Sequence, residues 1–407
     1  MPTRLSARVR SLKGSATVQL GAKAKEMQDQ GLDVISFALG EPDFPTPEHI
    51  CEAARQALAA GKTKYTPSAG IPELRLAIAD TVAADYGIPC TGDQAVVGNG
   101  GKHALMNAWQ CILEPADEVL ILAPYWVSYP AQIGLCGAVP VVVNTYTEND
   151  FQPDLDEVRS LVSDRTAALL INSPSNPSGA VLERSLIEGL AEIAVEADCW
   201  IVTDEIYRHI LFDGRTHFSP AMVSDEVRER TIILDGASKA YAMTGWRMGW
   251  MVAPVEVAKA ATRLQGQETS GPNSIAQWAA LAGLRGPQDC VAEMRAEFER
   301  RRDYIVPALA AIEGVKIGNP GGAFYAFPDV SAHLDGHLSH KGVPITDDKA
   351  FTTYLLEDAL ISTVPGSEFG LPGYIRLSFA TSMDKIEEGV ARLRRALVGD
   401  CGGRAGD

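Results

Sequence analysis

Residues 231–254 read TIILDGASKAYAMTGWRMGWMVAP. Two apolar runs, TIILDG and GWMVAP, enclose a stretch that carries two cations, Lys239 and Arg247, is otherwise small, apolar or aromatic, and has no carboxylate between them. Short apolar runs bounded by glycine and small polar residues read as strands buried on both faces. Moving outward, the runs QAVVGNG, EVLILAP, AVPVVVN, AALLINSP and WIVTDE recur from about residue 93 to 253, separated by longer helical patterns. Such alternation predicts βαβ units, hence an α/β fold with a mostly parallel central sheet and helices on both faces. In open sheets of this kind ligands lie at the carboxyl ends of the strands. Asn99 to Lys102, Tyr125-Trp126, Asn176, Asp204 and Ser238-Lys239 all follow such runs and are expected to converge on one crevice.

The remaining chain reads differently. A length of 407 residues favours one large domain plus a smaller one. EMRAEFERRRDYIVPALAAI (293–312) is a long amphipathic helix; VKIGNPGGAFYAFPDV (315–330) carries hairpin-like turn chemistry, and YIRLSFA (374–380) reads as an alternating strand. The expected division is an N-terminal arm over 1–45, a large domain over 46–287 and a smaller α+β domain over 288–407. Turn signals and little periodicity mark the first 45 residues, which read as an arm and short linker.

Composition excludes several classes of function. With 36 basic and 52 acidic residues the formal charge is −16, which repels phosphate backbones, so nucleic acid is not an expected partner. No window offers the roughly 18 apolar residues of a membrane span, and the N-terminus lacks the apolar core of a secretory signal, so cytoplasmic residence is the expectation. The seven cysteines are odd in number, scattered and embedded in apolar runs, as reduced, buried thiols are. No metal site is expected.

The chemistry begins at Asn99-Gly100-Gly101, between a strand and a helix. Glycine there lets backbone N–H groups approach an anion at a helix N-terminus, although a β-to-α turn uses glycine for its backbone angles alone as well. Arg247 and Ser238 suit the other half of an anion cradle, because a guanidinium grips phosphate through two parallel hydrogen bonds. The flanks Thr244, Gly245, Trp246 and Met248 imply partial burial of Arg247 rather than a surface ion pair. Lys239, following an apolar strand and close to Arg247, is expected to be poorly hydrated, with a lowered pKa and a nucleophilic amine. A phosphate site beside an imine-forming lysine points to pyridoxal 5′-phosphate, which also needs a carboxylate at its ring nitrogen. Asp204, ending WIVTD, meets that need, with Glu205 turned the other way by strand alternation; a helix N-cap is the competing reading. Asn176 and Tyr207 are placed to hydrogen-bond the ring oxygen, and Trp126 to stack on the ring.

These residues, in this order, resemble the fold-type I pyridoxal-phosphate aminotransferases of the class I/II superfamily, in the bacterial aspartate/prephenate branch. The motifs GEPDFPTPEHI (40–50), GKTKYTPSAGIPELR (61–75), NGGKHAL (99–105), APYWVSYP (123–130), NSPSNPSGAV (172–181), DEIY (204–207), GASKAYAMTGWRMGW (236–250), GGAFYAF (321–327) and PGSEFG with YIRLSFA (365–380) carry the resemblance over nearly the whole chain. It implies that Lys239 binds the cofactor covalently and shuttles the α-proton. It further implies that Asp204 pairs with the ring nitrogen, that Asn176 and Tyr207 contact the ring oxygen, and that Gly101, Lys102, Ser238 and Arg247 line the phosphate site. Tyr65 is implied to reach the phosphate of a partner subunit, making a homodimer with composite sites. Arg376 is implied to clamp the substrate α-carboxylate, assisted by Asn176 and the backbone of Gly40. Its own sequence context agrees: an arginine alone on a strand whose other face is apolar needs an acid.

The substrates implied are an amino acid and a 2-oxo acid, in first place L-aspartate with 2-oxoglutarate, by ping-pong kinetics. Lys102 is implied to meet a distal carboxylate, and the loop 10–20, with Lys13, Ser15 and Thr17, to close over the substrate. Prephenate or aromatic transamination is the alternative, and a carbon–sulfur β-lyase shares the fold and the lysine. Glu268 departs from the pattern: an acid near the substrate would oppose a dicarboxylate, unless it faces solvent. Ser175 and Ser178 replace the commoner Asn and Thr and stay small and polar.

Overall fold

The computed structural model describes residues 5–6, 9–10, 12, 14 and 16–398. Its centre is a seven-stranded sheet of β1 (Ala95–Asn99), β2 (Glu118–Ala123), β3 (Val139–Asn144), β4 (Thr166–Asn172), β5 (Trp200–Asp204), β6 (Thr231–Gly236) and β7 (Met248–Val252), in the order β1-β7-β6-β5-β4-β2-β3. Six strands run the same way; β7 alone is reversed, pairing antiparallel with both β1 and β6. The expected mostly parallel sheet is therefore present with one inversion, which matters for the site. Because β7 runs backwards, Arg247 at its entrance lies at the same edge as the exits of β1, β5 and β6.

Burial explains why the strands read as continuous apolar runs. Val96, Val202, Ile232 and Leu234 pack with Leu105 and Trp109 of the helix Gly101–Ile112 and with Ala258 and Ala261. Their neighbours Val97 and Ile233 face the opposite way, against Leu74, Ile78 and Val82 of the helix Pro72–Tyr86. Both faces are covered, so alternate residues belong to different cores and all must be apolar. β6 is buried along its whole length.

A second core forms around the helix Asp289–Ala310, with Phe298, Ile305 and Leu309 packed against Phe324, Phe351, Ile375 and Leu377. Here Ile375–Ser378 pairs antiparallel with Val364–Pro365 on one side and Tyr325–Ala326 on the other. The turn chemistry at 315–330 appears as a bridge between Lys316 and Asp329.

The first 45 residues differ from expectation. They contain a 14-residue helix, Ala16–Asp29, and a strand, Ile35–Ser36, that pairs in parallel with Ile361–Ser362. ATVQLGAKAKEMQD is rich in good helix formers, but only Ala24 in it is fully buried, with Leu20 and Met27 packed beside it. Such a narrow stripe leaves little periodic signal. Among the described residues no helix is long and apolar enough to cross a membrane.

Candidate active site

A cleft of about 350 Å³ opens where the carboxyl ends of β5 and β6 meet the start of the helix Gly101–Ile112. Gly40, Gly101, Lys102, Trp126, Asn176, Asp204, Tyr207, Ser238, Lys239, Arg247 and Arg376 all line it, so the structure brings together eleven of the residues singled out in the sequence.

Lys239 sits in the helical turn Ala237–Ala240 directly after β6. Its ammonium donates to the Gly40 carbonyl oxygen. Burial lowers its pKa to about 8, with the Arg376 cation adding to the effect, Glu41 and Asp204 opposing it, and Arg247 contributing least. The sequence reading credited Arg247 with the neighbouring charge; Arg376, brought in from the second core, is the stronger one.

Asp204 ends β5 and accepts hydrogen bonds from the Tyr129 hydroxyl at 2.8 Å and the Ile206 amide at 3.3 Å. Burial raises its pKa to about 6, against those two hydrogen bonds. No cation neutralises it among the described residues. The N-cap reading finds only that one amide contact, Ile206, while the side chain lines the cleft. Glu205, as strand alternation demands, is turned away and is fully buried.

Arg376 is 2% exposed and has no acid beside it. Its Nη1 donates to Asn176 Oδ1 at 2.9 Å and its Nη2 to the Ala38 carbonyl at 2.6 Å, while Nε is buried without a partner. The guanidinium lies 4.6 Å from the Tyr325 ring centroid and 5.0 Å from that of Phe369. An anion in the cleft is what this group lacks. Tyr207 is buried, and its hydroxyl lies 2.6 Å from that of Tyr325.

The anion cradle is built at the other end of the cleft. Gly100 adopts φ +88°, and a Cβ there would stand 2.5 Å from Arg247 Nη2, so glycine leaves room for the guanidinium beside the helix N-terminus. Lys102 Nζ lies 4.9 Å over the Trp126 ring, and burial followed by the Arg247 charge lowers its pKa. Arg247 itself corrects the reading of its flanks: it is exposed, donates Nη1 to the Thr244 carbonyl at 2.9 Å, and pairs with no carboxylate among the described residues. It stands at the rim of an open cleft, which burial of Trp246 and Met248 does not extend to.

Three expectations fall outside this cleft. Tyr65 is 95% exposed and lines a separate cavity with Thr269 to Ser274. Glu268 accepts from Gln110 at 2.8 Å, lies 3.3 Å from His103 Nε2 and is not among the residues lining the cleft. Lys13 and Ser15 lie outside the described residues; Thr17 belongs to the helix Ala16–Asp29, and its neighbour Val18 lines the cleft.

Sequence reasoning missed Tyr129, Tyr325 and Glu41, each of which lines the cleft. All three stood within quoted motifs, Tyr129 three residues after Trp126 in APYWVSYP. Its ring also meets Trp126 edge-on at 5.4 Å and 84°.

The donor set fits pyridoxal phosphate. It offers a helix N-terminus with Lys102, Ser238 and Arg247 for a phosphate, an uncompensated acid at 204 for a ring cation, and a lysine of lowered pKa between them.

Residues 32–393 match the family model described as aminotransferase class I and II. The chain is 46% identical over 396 residues to an aspartate/prephenate aminotransferase of Thermus thermophilus, covering 97% of this chain and 98% of that protein. It is 44% identical over 391 residues to an aspartate aminotransferase of Bacillus sp. (strain YM-2), covering 96% and 98%. Among solved structures, Thermus thermophilus aspartate aminotransferase with maleate superposes with a TM-score of 0.90 at 44% identity, covering 97% of this chain and 99% of that one. The Rhizobium meliloti aspartate aminotransferase gives 0.93 at 39% identity, with the same coverage. Fold, motif order and full-length similarity agree: the chain belongs to the class I and II aminotransferases.

Proposed function

We propose that the protein is a cytoplasmic, pyridoxal 5′-phosphate-dependent aspartate aminotransferase, converting L-aspartate and 2-oxoglutarate to oxaloacetate and L-glutamate by ping-pong kinetics. One observation carries the reading. A lysine of pKa about 8, an acid without a counter-cation and a buried arginine without a counter-anion face one cleft.

Lys239 would hold the cofactor through Nζ, Asp204 its ring nitrogen, and Gly101, Lys102, Ser238 and Arg247 its phosphate. Asn176 and Tyr207 would contact the ring oxygen, and Trp126 would stack on the ring. When bound, the cofactor supplies an electron sink for the bond broken at the substrate α-carbon. The protein's share is position and proton transfer. Arg376, oriented by Asn176 and Ala38, takes the α-carboxylate in a two-pronged grip, with Gly40 close by. The amine of Lys239, partly neutral near pH 8, takes the α-proton and returns it. Lys102 at the Trp126 end of the cleft is the cation for a distal carboxylate, with Lys13, Ser15 and Thr17 assigned to the closing loop.

A homodimer completes the reading. Tyr65 is almost fully exposed and away from its own cleft, as suits a residue that serves a partner's phosphate site. The proposed division remains an arm and substrate-covering loop over 1–45, a cofactor-binding domain over 46–287 and a small domain over 288–407. Prephenate is the second substrate reading, favoured by the apolar Val18, Leu39 and Trp126 among the residues lining the cleft and by the name of the Thermus relative.

A donor panel with 2-oxoglutarate tests the proposal. Aspartate is expected to give the highest kcat/KM, with glutamate formed stoichiometrically. Pyruvate, ammonia and a thiol from a thioether substrate without an acceptor would mark a β-lyase instead.

A further inference from the structure

The paired hydroxyls of Tyr207 and Tyr325 carry information that the role given to Tyr207 does not use. The two oxygens lie 2.6 Å apart, each the only hydrogen-bond partner of the other among the described residues. Both residues are at least 97% buried. Two hydroxyls hold two protons, of which only one can lie between the oxygens; the other needs a second acceptor.

Which proton lies between them follows from the surroundings. The Gly40 backbone crosses directly over the Tyr325 hydroxyl: a Cβ at residue 40 would stand 2.3 Å from that oxygen. The Arg376 guanidinium, 4.6 Å from the Tyr325 ring centroid, accepts nothing. If Tyr207 donated to Tyr325, the Tyr325 proton would lie under the Gly40 backbone and beside that cation, with no acceptor for it among the described residues. If Tyr325 donates, the remaining proton is that of Tyr207, a residue placed between the Tyr325 ring and the end of β5. Burial raises both phenols, and the Arg376 cation opposes the rise at each.

We infer that Tyr325 is a positioning residue whose hydroxyl donates to Tyr207 and thereby commits the Tyr207 proton to the cleft. Its ring carries the Arg376 guanidinium at the same time, so one side chain ties the proposed carboxylate clamp to the proposed ring-oxygen donor. Gly40 is required because nothing larger leaves the Tyr325 hydroxyl in place. The inference rests on the proposed contact between Tyr207 and the cofactor's ring oxygen, and donation strengthens that contact because hydrogen bonds in a chain polarise one another.

The experiment is a pH titration of the visible absorbance of the cofactor-loaded protein for wild type, Tyr207→Phe, Tyr325→Phe and the double variant, with the cofactor dissociation constant measured in parallel. A donor to the ring oxygen favours its anionic form and so favours loss of the neighbouring proton; weakening the donor raises the midpoint. Tyr207→Phe is expected to raise it most. Tyr325→Phe, which keeps the ring under Arg376, is expected to raise it by a smaller amount, to weaken cofactor binding about threefold to tenfold, and to add nothing once Tyr207 is Phe. A wild-type midpoint for Tyr325→Phe beside a shifted Tyr207→Phe overturns the inference and leaves the role of Tyr207 standing. Additive shifts in the double variant also overturn it, because Tyr325 would then act without Tyr207. If Tyr207→Phe itself leaves the midpoint in place, the ring-oxygen role fails and the inference falls with it.

Discussion

The two acids at the end of β5 are neighbours in sequence and opposites in environment. Asp204 faces the cleft with one hydroxyl and one amide to hold it, and its pKa rises to about 6. Glu205 faces the other way, accepting from the Tyr86 hydroxyl and from Thr203 Oγ1 at 3.0 Å, with His217 Nε2 3.0 Å away. Burial pushes the Glu205 carboxyl up, yet His217, Ser219 and Tyr86 outweigh it and hold it below its usual range. The arginines divide in the same manner. Arg208 reaches Asp235 at 2.7 Å and Asp85 at 2.6 Å, and Arg301 grips Asp43 through both Nη atoms and Glu297 through Nε. Arg302 is likewise paired with Asp213 and Asp303. Arg376, as deeply buried as any of them, has no acid paired with it among the described residues. Buried charges that pair with one another build the fold; Asp204 and Arg376, which do not, share one cleft, where a ligand can complete them.

The hardest test of this division is Lys239→Ala. On the proposed reading it removes both the cofactor attachment and the proton carrier, and kcat is expected to fall by at least about 10⁴-fold, while thermal stability changes little. An oxaloacetate-coupled assay near wild-type rate would erase the distinction at its strongest point.

Next come the arginines, whose two classes are expected to fail in opposite ways. Arg376→Ala should lower kcat/KM for aspartate by about 10²–10³-fold, the cost of losing a buried charge partner. It should leave the cofactor-free protein as stable as before or more so, since an unpaired buried cation has gone. Arg301→Ala strands Asp43, leaves Glu297 to Arg300, and should cost about 1–3 kcal/mol of stability, with kcat/KM of the folded fraction nearly unchanged. Denaturant midpoints and kinetics on both variants would settle it. A destabilised Arg376→Ala that keeps its catalytic efficiency would invert the scheme.

Much of this division was legible in the sequence, for a physical reason. A strand buried on both faces tolerates polar residues only at its ends, so apolar runs ending in Asp204 or followed by Lys239 announce where ligands sit. Arg376 stood out likewise on a strand whose opposite face is apolar. What the sequence concealed is distance across the fold. Arg376 depresses the Lys239 amine more than Arg247 does, although Arg247 is the neighbour in sequence. Tyr129 and Tyr325 read as core aromatics, which they also are; their hydroxyl partners lie 75 and 118 residues away. The reversal of β7 left no mark because antiparallel and parallel strands buried on both faces share one composition. Glu268 drew attention by its charge, yet it is turned to Gln110 and His103 on the helix Gly101–Ile112.

A smaller effect separates the cost of Asp204 from its use. Its folded pKa of about 6 exceeds the usual 3.8, and about two units correspond to about 3 kcal/mol against folding at most. The sign is that of a raised carboxyl: below pH 4 the group is protonated in both states and costs nothing, and above pH 6 the cost is complete. Asp204→Asn should therefore stabilise the cofactor-free protein by about 1–3 kcal/mol at pH 7.5, with the gain vanishing toward pH 4. Glu205→Gln should destabilise at pH 7.5, because its folded pKa is depressed and its ionised form is the bonded one. Equal signs for the two substitutions in thermal melts would remove the contrast between them.

The finest prediction concerns the charges around the lysine. Cofactor capture needs the neutral amine, so its rate in the cofactor-free protein should rise through a midpoint near pH 8. Arg376 lowers that pKa and Glu41 raises it. Removing the cation lets the ammonium persist to higher pH, and removing the acid makes it easier to deprotonate. Arg376→Gln should thus move the capture midpoint upward and Glu41→Gln downward, each by on the order of half a pH unit, read from the growth of visible absorbance after mixing with pyridoxal phosphate. Glu41 is anchored by the Thr244 hydroxyl at 2.9 Å but exposed, so its shift should shrink in high salt, while that of buried Arg376 should persist. Shifts of the same sign, or a midpoint indifferent to both, would mean that burial alone tunes Lys239 and that the incomplete charges of the cleft do not act on one another.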